Sequence, residues 1–203
     1  MQGKVIAMVA PTRSGKTYLT KRIAEYLDSP ALFEVTGDLP ERIQESLSDN
    51  IRQWERHLYF RGRALTMQRE AHELAKTNPY VFVDSAWVSC RPYIDVYDIT
   101  DFERSLLVQL SELDMQLLPW PDALIVLSED DATSKKLWRL SGKDYELDET
   151  YFREQLLVIK HSFERYIEKT SFPVPTVHIN RSGMDFDTPS VFESLLEQLK
   201  PIL

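Results

Sequence analysis

Five short apolar runs, each bounded by turn-forming or charged residues, recur along the chain: 4–10 (KVIAMVA), 29–36 (SPALFEVT), 78–85 (NPYVFVDS), 122–129 (DALIVLSE) and 174–180 (VPTVHIN). Runs of this length without strict alternation predict strands buried on both faces. Between them the apolar residues recur every three or four positions, which predicts helices. Leu19, Ile23 and Leu27 make one stripe of a helix over 16–27. A mainly helical pattern covers 40–76, with a break expected near Gly62. A helix over 99–118 has Asp101 as its expected N-cap and is ended by Pro119 and Pro121. A short basic helix (131–140), a polar loop (141–146), a long amphipathic helix (148–169) and a closing helix capped by Thr188 or Ser190 complete the chain. Strands alternating with helices predict an α/β fold: a doubly wound, five-stranded parallel sheet with helices on both faces. No repeat, low-complexity tract or linker interrupts the pattern, so residues 1–203 are expected to form one domain.

Composition narrows the function classes. The formal charge is −8, from 32 acidic and 24 basic residues, which argues against stable binding to a nucleic-acid backbone. No apolar run approaches the roughly 18 residues a membrane span needs, and the start of the chain leads straight into a loop rather than a cleavage site. Cys90 is the single cysteine, so no internal disulfide can form. These features together point to the cytoplasm. A local excess of positive charge occurs at 52–63, where Arg52, Arg56, Arg61 and Arg63 alternate with aromatic residues. That stretch reads either as a solvated helix face or as one wall of an anion pocket.

The chemistry begins at APTRSGKT, Ala10, Pro11, Thr12, Arg13, Ser14, Gly15, Lys16 and Thr17. It lies between a buried strand and a helix start, where backbone N–H groups and the helix dipole converge on one anion. Lys16 is placed to reach the outer phosphates of ATP, and Thr17 to ligate Mg²⁺. Ala10 stands where a glycine is usual, which is harmless if its φ is negative. The third strand ends in Asp84, at the carboxyl edge where ligands bind in open α/β sheets. An acid there shares the Mg²⁺ with Thr17. This is a P-loop NTPase-type site for phosphoryl transfer or hydrolysis. The Asn-Lys-x-Asp signature of guanine recognition is absent from the sequence. Lys135, Lys136, Arg139 and Lys143 follow the fourth strand in a region of about 129–146 that reads as a short lid closing over the nucleotide.

With these residues in order, the chain resembles the deoxynucleoside kinases, which share their fold with thymidylate kinase. The resemblance runs over nearly the whole length: the phosphate loop, the helix segment TMQREAHELA, the strand and turn VFVDSAWVSCRPY, the lid and following helix, and the closing VHINRSGMDF. It implies transfer of the γ-phosphoryl of ATP, with Mg²⁺, to the 5′-hydroxyl of a deoxynucleoside, in a homodimer paired through helices, the 151–167 segment being one candidate face. It further implies that Gln68 reads the base, that Glu146 binds the sugar 3′-hydroxyl helped by Tyr59 or His57, that Arg91 sits beside the acceptor, and that Arg139, Lys136 and Lys143 serve the lid. The family's general base is a glutamate after the second strand; Asp38 is the nearest match and Glu34 the alternative. Ala75 and Cys90 fall at two specificity positions, and a small uncharged pair there favours a pyrimidine.

The chain also departs from the family. Ser85 replaces an arginine of the acid–arginine–serine motif, for which Arg91 or Arg13 would have to substitute, and Leu137 and Ser141 occupy lid arginine positions. Two alternatives follow: a thymidylate-like nucleoside monophosphate kinase, for which the arginines of 52–63 would supply the extra cation, and a nucleotide-binding regulator without turnover. His57, His72, His161 and His178 show no metal-ligand spacing.

Overall fold

The computed structural model describes residues 3–35, 37–141 and 149–203. Its strands are β1 (Lys4–Val9), β2 (Ala31–Leu32), β3 (Tyr80–Val83), β4 (Ala123–Ser128) and β5 (Thr176–Asn180). They form one sheet in the order β2-β3-β1-β4-β5, and every pairing is parallel. β1 is therefore central, with Ile6 opposite both Phe82 and Ala123.

The sheet is covered on both faces. Alternate residues of β1 enter two separate cores. Ile6 and Met8 pack with Leu19 and Ile23 of α1 (Lys16–Tyr26) and Leu195 and Leu199 of α9 (Pro189–Leu199). Val5, Ala7 and Val9 pack with Ala64, Met67 and Ala71 of α3 (Gln53–Leu74) and Phe163 of α8 (Leu157–Lys169). Burial on both faces is why these strands read as unbroken apolar runs. Among the described residues, no helix is long and apolar enough to cross a membrane.

Three local expectations change. The helical stretch after Pro40 breaks at 49–52, between α2 (Glu41–Ser48) and α3, and passes through Gly62 unbroken. Asn50 and Arg52 take left-handed backbone there, φ 53° and 49°; asparagine tolerates that region, whereas Gly62 adopts ordinary helical geometry and faces open space. The cap of α5 (Asp101–Leu117) is Thr100, not Asp101. Thr100 Oγ1 accepts from Glu103 N (3.2 Å) while Glu103 Oε2 accepts from Thr100 N (2.9 Å), a reciprocal box that Asp101 cannot close. The long helix near 150 consists of α7 (Glu149–Tyr151), a π-helical turn (Phe152–Leu156) and α8.

Two further helices frame the region beyond β3. A 3₁₀ turn (Trp87–Cys90) leads directly into α4 (Arg91–Ile94), and α6 (Asp131–Ser141) follows β4.

Candidate active site

The loop 10–15 joins the carboxyl end of β1 to the first turn of α1. Gly15 is the N-cap, with φ 84° and ψ 20°, a conformation that strains any residue with a Cβ. A Cβ at Gly15 would also collide with the Arg181 guanidinium. Ala10, by contrast, stays out of the left-handed region, whereas Arg13 enters it at φ 62°. Inside the loop, Ser14 Oγ donates to the Pro11 carbonyl (2.8 Å). The Lys16 ammonium donates to the carbonyls of Ala10 (3.1 Å) and Pro11 (2.9 Å). The lysine is thus folded back over the loop, with its charge at the helix N-terminus.

Thr17 and Asp84 come together as the sequence suggests. Thr17 Oγ1 donates to Asp84 Oδ2 at 2.8 Å. Asp84 is only 4% exposed, and its Oδ1 is buried with no hydrogen-bond partner. An orphan carboxylate oxygen beside a hydroxyl fits a hard divalent cation. Mg²⁺ in phosphoryl-transfer sites is commonly held by one or two protein oxygens plus phosphates and water. In keeping with that, no three His, Cys, Asp or Glu side chains among the described residues cluster into a self-sufficient metal site.

β2 ends at Leu32, and Glu34 follows in the loop beyond the sheet edge. Burial pushes the Glu34 carboxyl up to about 6; the Lys16 ammonium opposes that shift, Asp84 adds to it and Arg63 opposes it. Arg63 Nε also donates to the Glu34 carbonyl at 3.3 Å. Asp38 is exposed on the loop before α2. Glu34, not Asp38, is therefore the carboxylate that shares the field of Lys16 and Asp84.

His57, Arg61, Ala64 and Gln68 recur at helical spacing, so one face of α3 carries them all. His57 is buried against the Tyr97 ring. Burial and the Arg61 charge push its imidazole down to about 4, with Asp114 opposing and Arg91 assisting. Arg61 makes a two-armed ion pair with Asp114 of α5. Gln68 is 2% exposed; its Nε2 meets His72 Nε2 at 3.0 Å, and its Oε1 is buried without a partner. Tyr59 is half-buried and packs edge-on against Phe60; two residues from His57, it lies on the other side of the helix. Cys90 stands near Glu34, Arg61 and Asp114, and burial pushes its thiol far up. Ala75 stands elsewhere: its carbonyl accepts from Gly3 N (2.8 Å), just before β1, at the opposite edge of the sheet from the phosphate loop. Ala75 and Cys90 therefore do not form a specificity pair.

The arginines of 52–63 are mostly engaged. Arg52 pairs with Glu45 (2.9 Å). Arg56 donates to the Ser46 carbonyl (2.8 Å) and Asn50 Oδ1 (3.2 Å). Arg91 is bound to Asp95 within α4 and its flank (2.6 Å). In α6, Lys135 and Arg139 both pair with Glu149 of α7, at 2.8 and 2.7 Å, while Trp138 stacks on Phe152 with ring centroids 4.8 Å apart. Lys136 is exposed. Lys143 and Glu146 lie outside the described residues.

A family model described as an AAA domain matches residues 6–162. The chain belongs to the AAA-domain family. Within it, the fold is that of nucleoside and nucleotide kinases. The chain is similar to the deoxyadenosine kinase of M. mycoides solved with bound dATP, at 15% identity and TM-score 0.77, with 96% of this chain and 98% of that one covered. The same enzyme solved with dCMP and dCDP aligns at TM-score 0.76 and 15% identity over 98% and 100%. The thymidylate kinase of Candida albicans aligns at TM-score 0.64 and 22% identity over 98% and 92%. No curated protein sequence matches the chain.

In this AAA-domain chain, one group beside the loop is illegible in the sequence. Arg181, from the segment after β5, is 4% exposed, and its Nη1 donates to the Ser14 carbonyl across 167 residues. No local motif announces such a contact; only the basic residue directly after the last strand hints at it.

Proposed function

We propose that the whole chain is one kinase domain that transfers the γ-phosphoryl of ATP to the 5′-hydroxyl of a deoxynucleoside. The observation that carries this reading is the juxtaposition of three groups. Lys16 lies at the phosphate loop, the Thr17–Asp84 oxygens lie beside it, and the Glu34 carboxyl lies within the field of both Lys16 and Asp84. The loop amides and Lys16 hold the phosphates. Thr17 and Asp84 hold the cation, which when bound neutralises charge on the moving phosphoryl group. Glu34 takes the proton of the acceptor hydroxyl. The hydroxyl oxygen forms its bond to the γ-phosphorus as the bond from that phosphorus to the β–γ bridging oxygen breaks. The nucleoside diphosphate leaves, and Glu34 gives its proton to water.

Gln68 suits base recognition because its buried Oε1 lacks a donor, a vacancy a base N–H satisfies. Arg139, with Lys135, closes the lid from α6. A nucleoside monophosphate acceptor is the second reading, and Arg63 favours it: it is the arginine of its stretch that lies against Glu34, whereas Arg61 is spent on Asp114.

The reading also includes a homodimer. α8 buries Phe163 and packs Ile159 and Ile167 on the sheet, so the pairing face is better placed on α5. There Phe102, Leu106, Leu113 and Leu117 are exposed along one stripe. The single cysteine fits a cytoplasmic setting.

The test is transfer from labelled ATP, with Mg²⁺, to a panel of deoxynucleosides and nucleoside monophosphates. A labelled 5′-monophosphate product supports the first reading, and a diphosphate product the second. Binding of Mg·ATP with transfer to neither class would replace both with the regulator reading.

A further inference from the structure

The Ser14 carbonyl is gripped by a guanidinium that the phosphate loop does not itself supply. Arg181 follows β5, and its backbone N–H donates to the Ser128 carbonyl (2.8 Å) at the end of β4. That bond fixes the residue at the carboxyl edge of the sheet, beside β4. Its Nη1 donates to Ser14 O, and its Nη1 end lies so close to Gly15 that no side chain fits there. The guanidinium carbon sits 4.9 Å over the Phe186 ring, and Nε is buried without a partner.

Around it stand Glu129, Asp185 and Tyr18, whose charges or dipoles oppose the desolvation of the cation. Glu129 is itself 6% exposed. Its Oε1 accepts from Ser134 Oγ of α6 (2.9 Å), and its Oε2 is buried with no partner. One buried cation therefore ties the phosphate loop to the end of β4, with the Glu129 carboxylate, held to α6 by Ser134, in its field. Burying an arginine without a complete set of acceptors is expensive. What such a residue can contribute is its charge and its grip.

The direction of the bond decides what that is. In a loop that cups an anion, the amides face the ligand and the carbonyls face away. A donor that fixes the Ser14 carbonyl from behind holds the following amide in its inward orientation. It also adds a positive charge on the far side of the loop from the anion.

We propose that Arg181 is a positioning residue of the phosphate loop, holding Ser14–Gly15 in the anion-cupping conformation and adding a second cation, beside Lys16, to the field that receives a polyphosphate. This rests on the proposed nucleotide site but not on the identity of the acceptor.

The test uses the full chain, inorganic tripolyphosphate with Mg²⁺ as probe, and calorimetry. Arg181→Met should weaken tripolyphosphate binding about tenfold, the scale of one charge-assisted hydrogen bond. Arg181→Lys should recover part of that loss by keeping the charge. In turnover, the KM for the triphosphate should rise by the same factor while the KM for the acceptor stays put. Because Arg181→Met removes one of the cations near the buried Glu129 carboxylate, the double variant Glu129→Gln/Arg181→Met lowers the buried negative charge with it and serves where the single variant does not fold. Wild-type affinity for tripolyphosphate in either folded variant would overturn the inference. So would an equal loss of acceptor affinity, or a wild-type chain that binds no tripolyphosphate. A chain that binds tripolyphosphate through Arg181 yet transfers no phosphoryl group would leave this inference standing and remove the kinase reading alone.

Discussion

Thr17 Oγ1 and Asp84 Oδ2 lie 2.8 Å apart although 67 residues separate them in sequence. The first turn of α1 and the end of β3 meet there because β1 and β3 are paired neighbours in the sheet. The contact leaves Asp84 Oδ1 as the open valence. Asp84→Asn removes the charge and keeps the shape. It should lower kcat by about 10²–10³, the scale of one lost transition-state contact, and raise the Mg²⁺ concentration needed for half-maximal rate. Lys16→Ala should abolish transfer with an unchanged circular dichroism spectrum. Steady-state kinetics over a Mg²⁺ titration would check both, and retained activity in Lys16→Ala would refute the assigned role.

Glu34 should set the acidic limb of the rate profile. Its carboxyl is raised to about 6, and a general base works only when ionised. kcat/KM should therefore fall as pH drops through about 6. Glu34→Gln should lose about 10²–10⁴ in kcat and show no such limb, while Asp38→Asn should behave as wild type. Carboxyl titration by NMR in the metal-free protein provides the independent reading.

His57 should make stability depend on pH over the same range. Its folded-state value is about 4 against an ordinary 6.5. Between those two values the unfolded chain binds the extra proton, so stability falls as pH is lowered from about 6.5 to 4. The loss amounts to about 3 kcal/mol. Glu34, raised on folding, acts with the other sign, since its burial cost disappears as it is protonated below about 6. The clean observable is therefore the difference in Tm between wild type and His57→Gln across that window, which should shrink as pH falls.

The Arg61–Asp114 pair joins α3 to α5 with side chains 21% and 11% exposed. Asp114→Ala strands a largely buried guanidinium and should cost about 3 kcal/mol in chemical denaturation. Replacing both by apolar residues of similar volume should cost much less.

The α5 stripe gives a prediction about assembly. Leu113→Glu places a charge in the middle of the exposed apolar row. It should shift the chain to a monomer in light scattering while leaving the melting of the isolated fold unaltered. A wild-type chain that is already monomeric would sink the pairing.

What could be read without coordinates was local or periodic. The phosphate loop, Thr17 and Asp84 were legible because a strand, a turn and a helix start are contiguous, and because a strand that ends in an acid points it at the sheet edge. The sequence pattern puts a helix break at Gly62, but glycine's freedom matters only where the backbone uses it, and the chain turns at Asn50 and Arg52 instead. That Glu34 rather than Asp38 stands next to the sheet edge depends on the length of β2, which at two residues ends just before it. Arg181 and the Arg61–Asp114 pair depend on chain segments brought together from far apart, and no spacing rule encodes them.

The brevity of β2 has a further consequence. A sheet margin is a template for foreign strands, and here the β2 margin offers only Ala31 and Leu32 to pair with. At the other margin, Pro173 and Pro175 stand immediately before β5, and proline cannot donate to an added ladder. β2 thus gives an incoming strand almost no backbone to pair with, and at its margin a concentrated solution of this chain should resist edge-to-edge polymerisation.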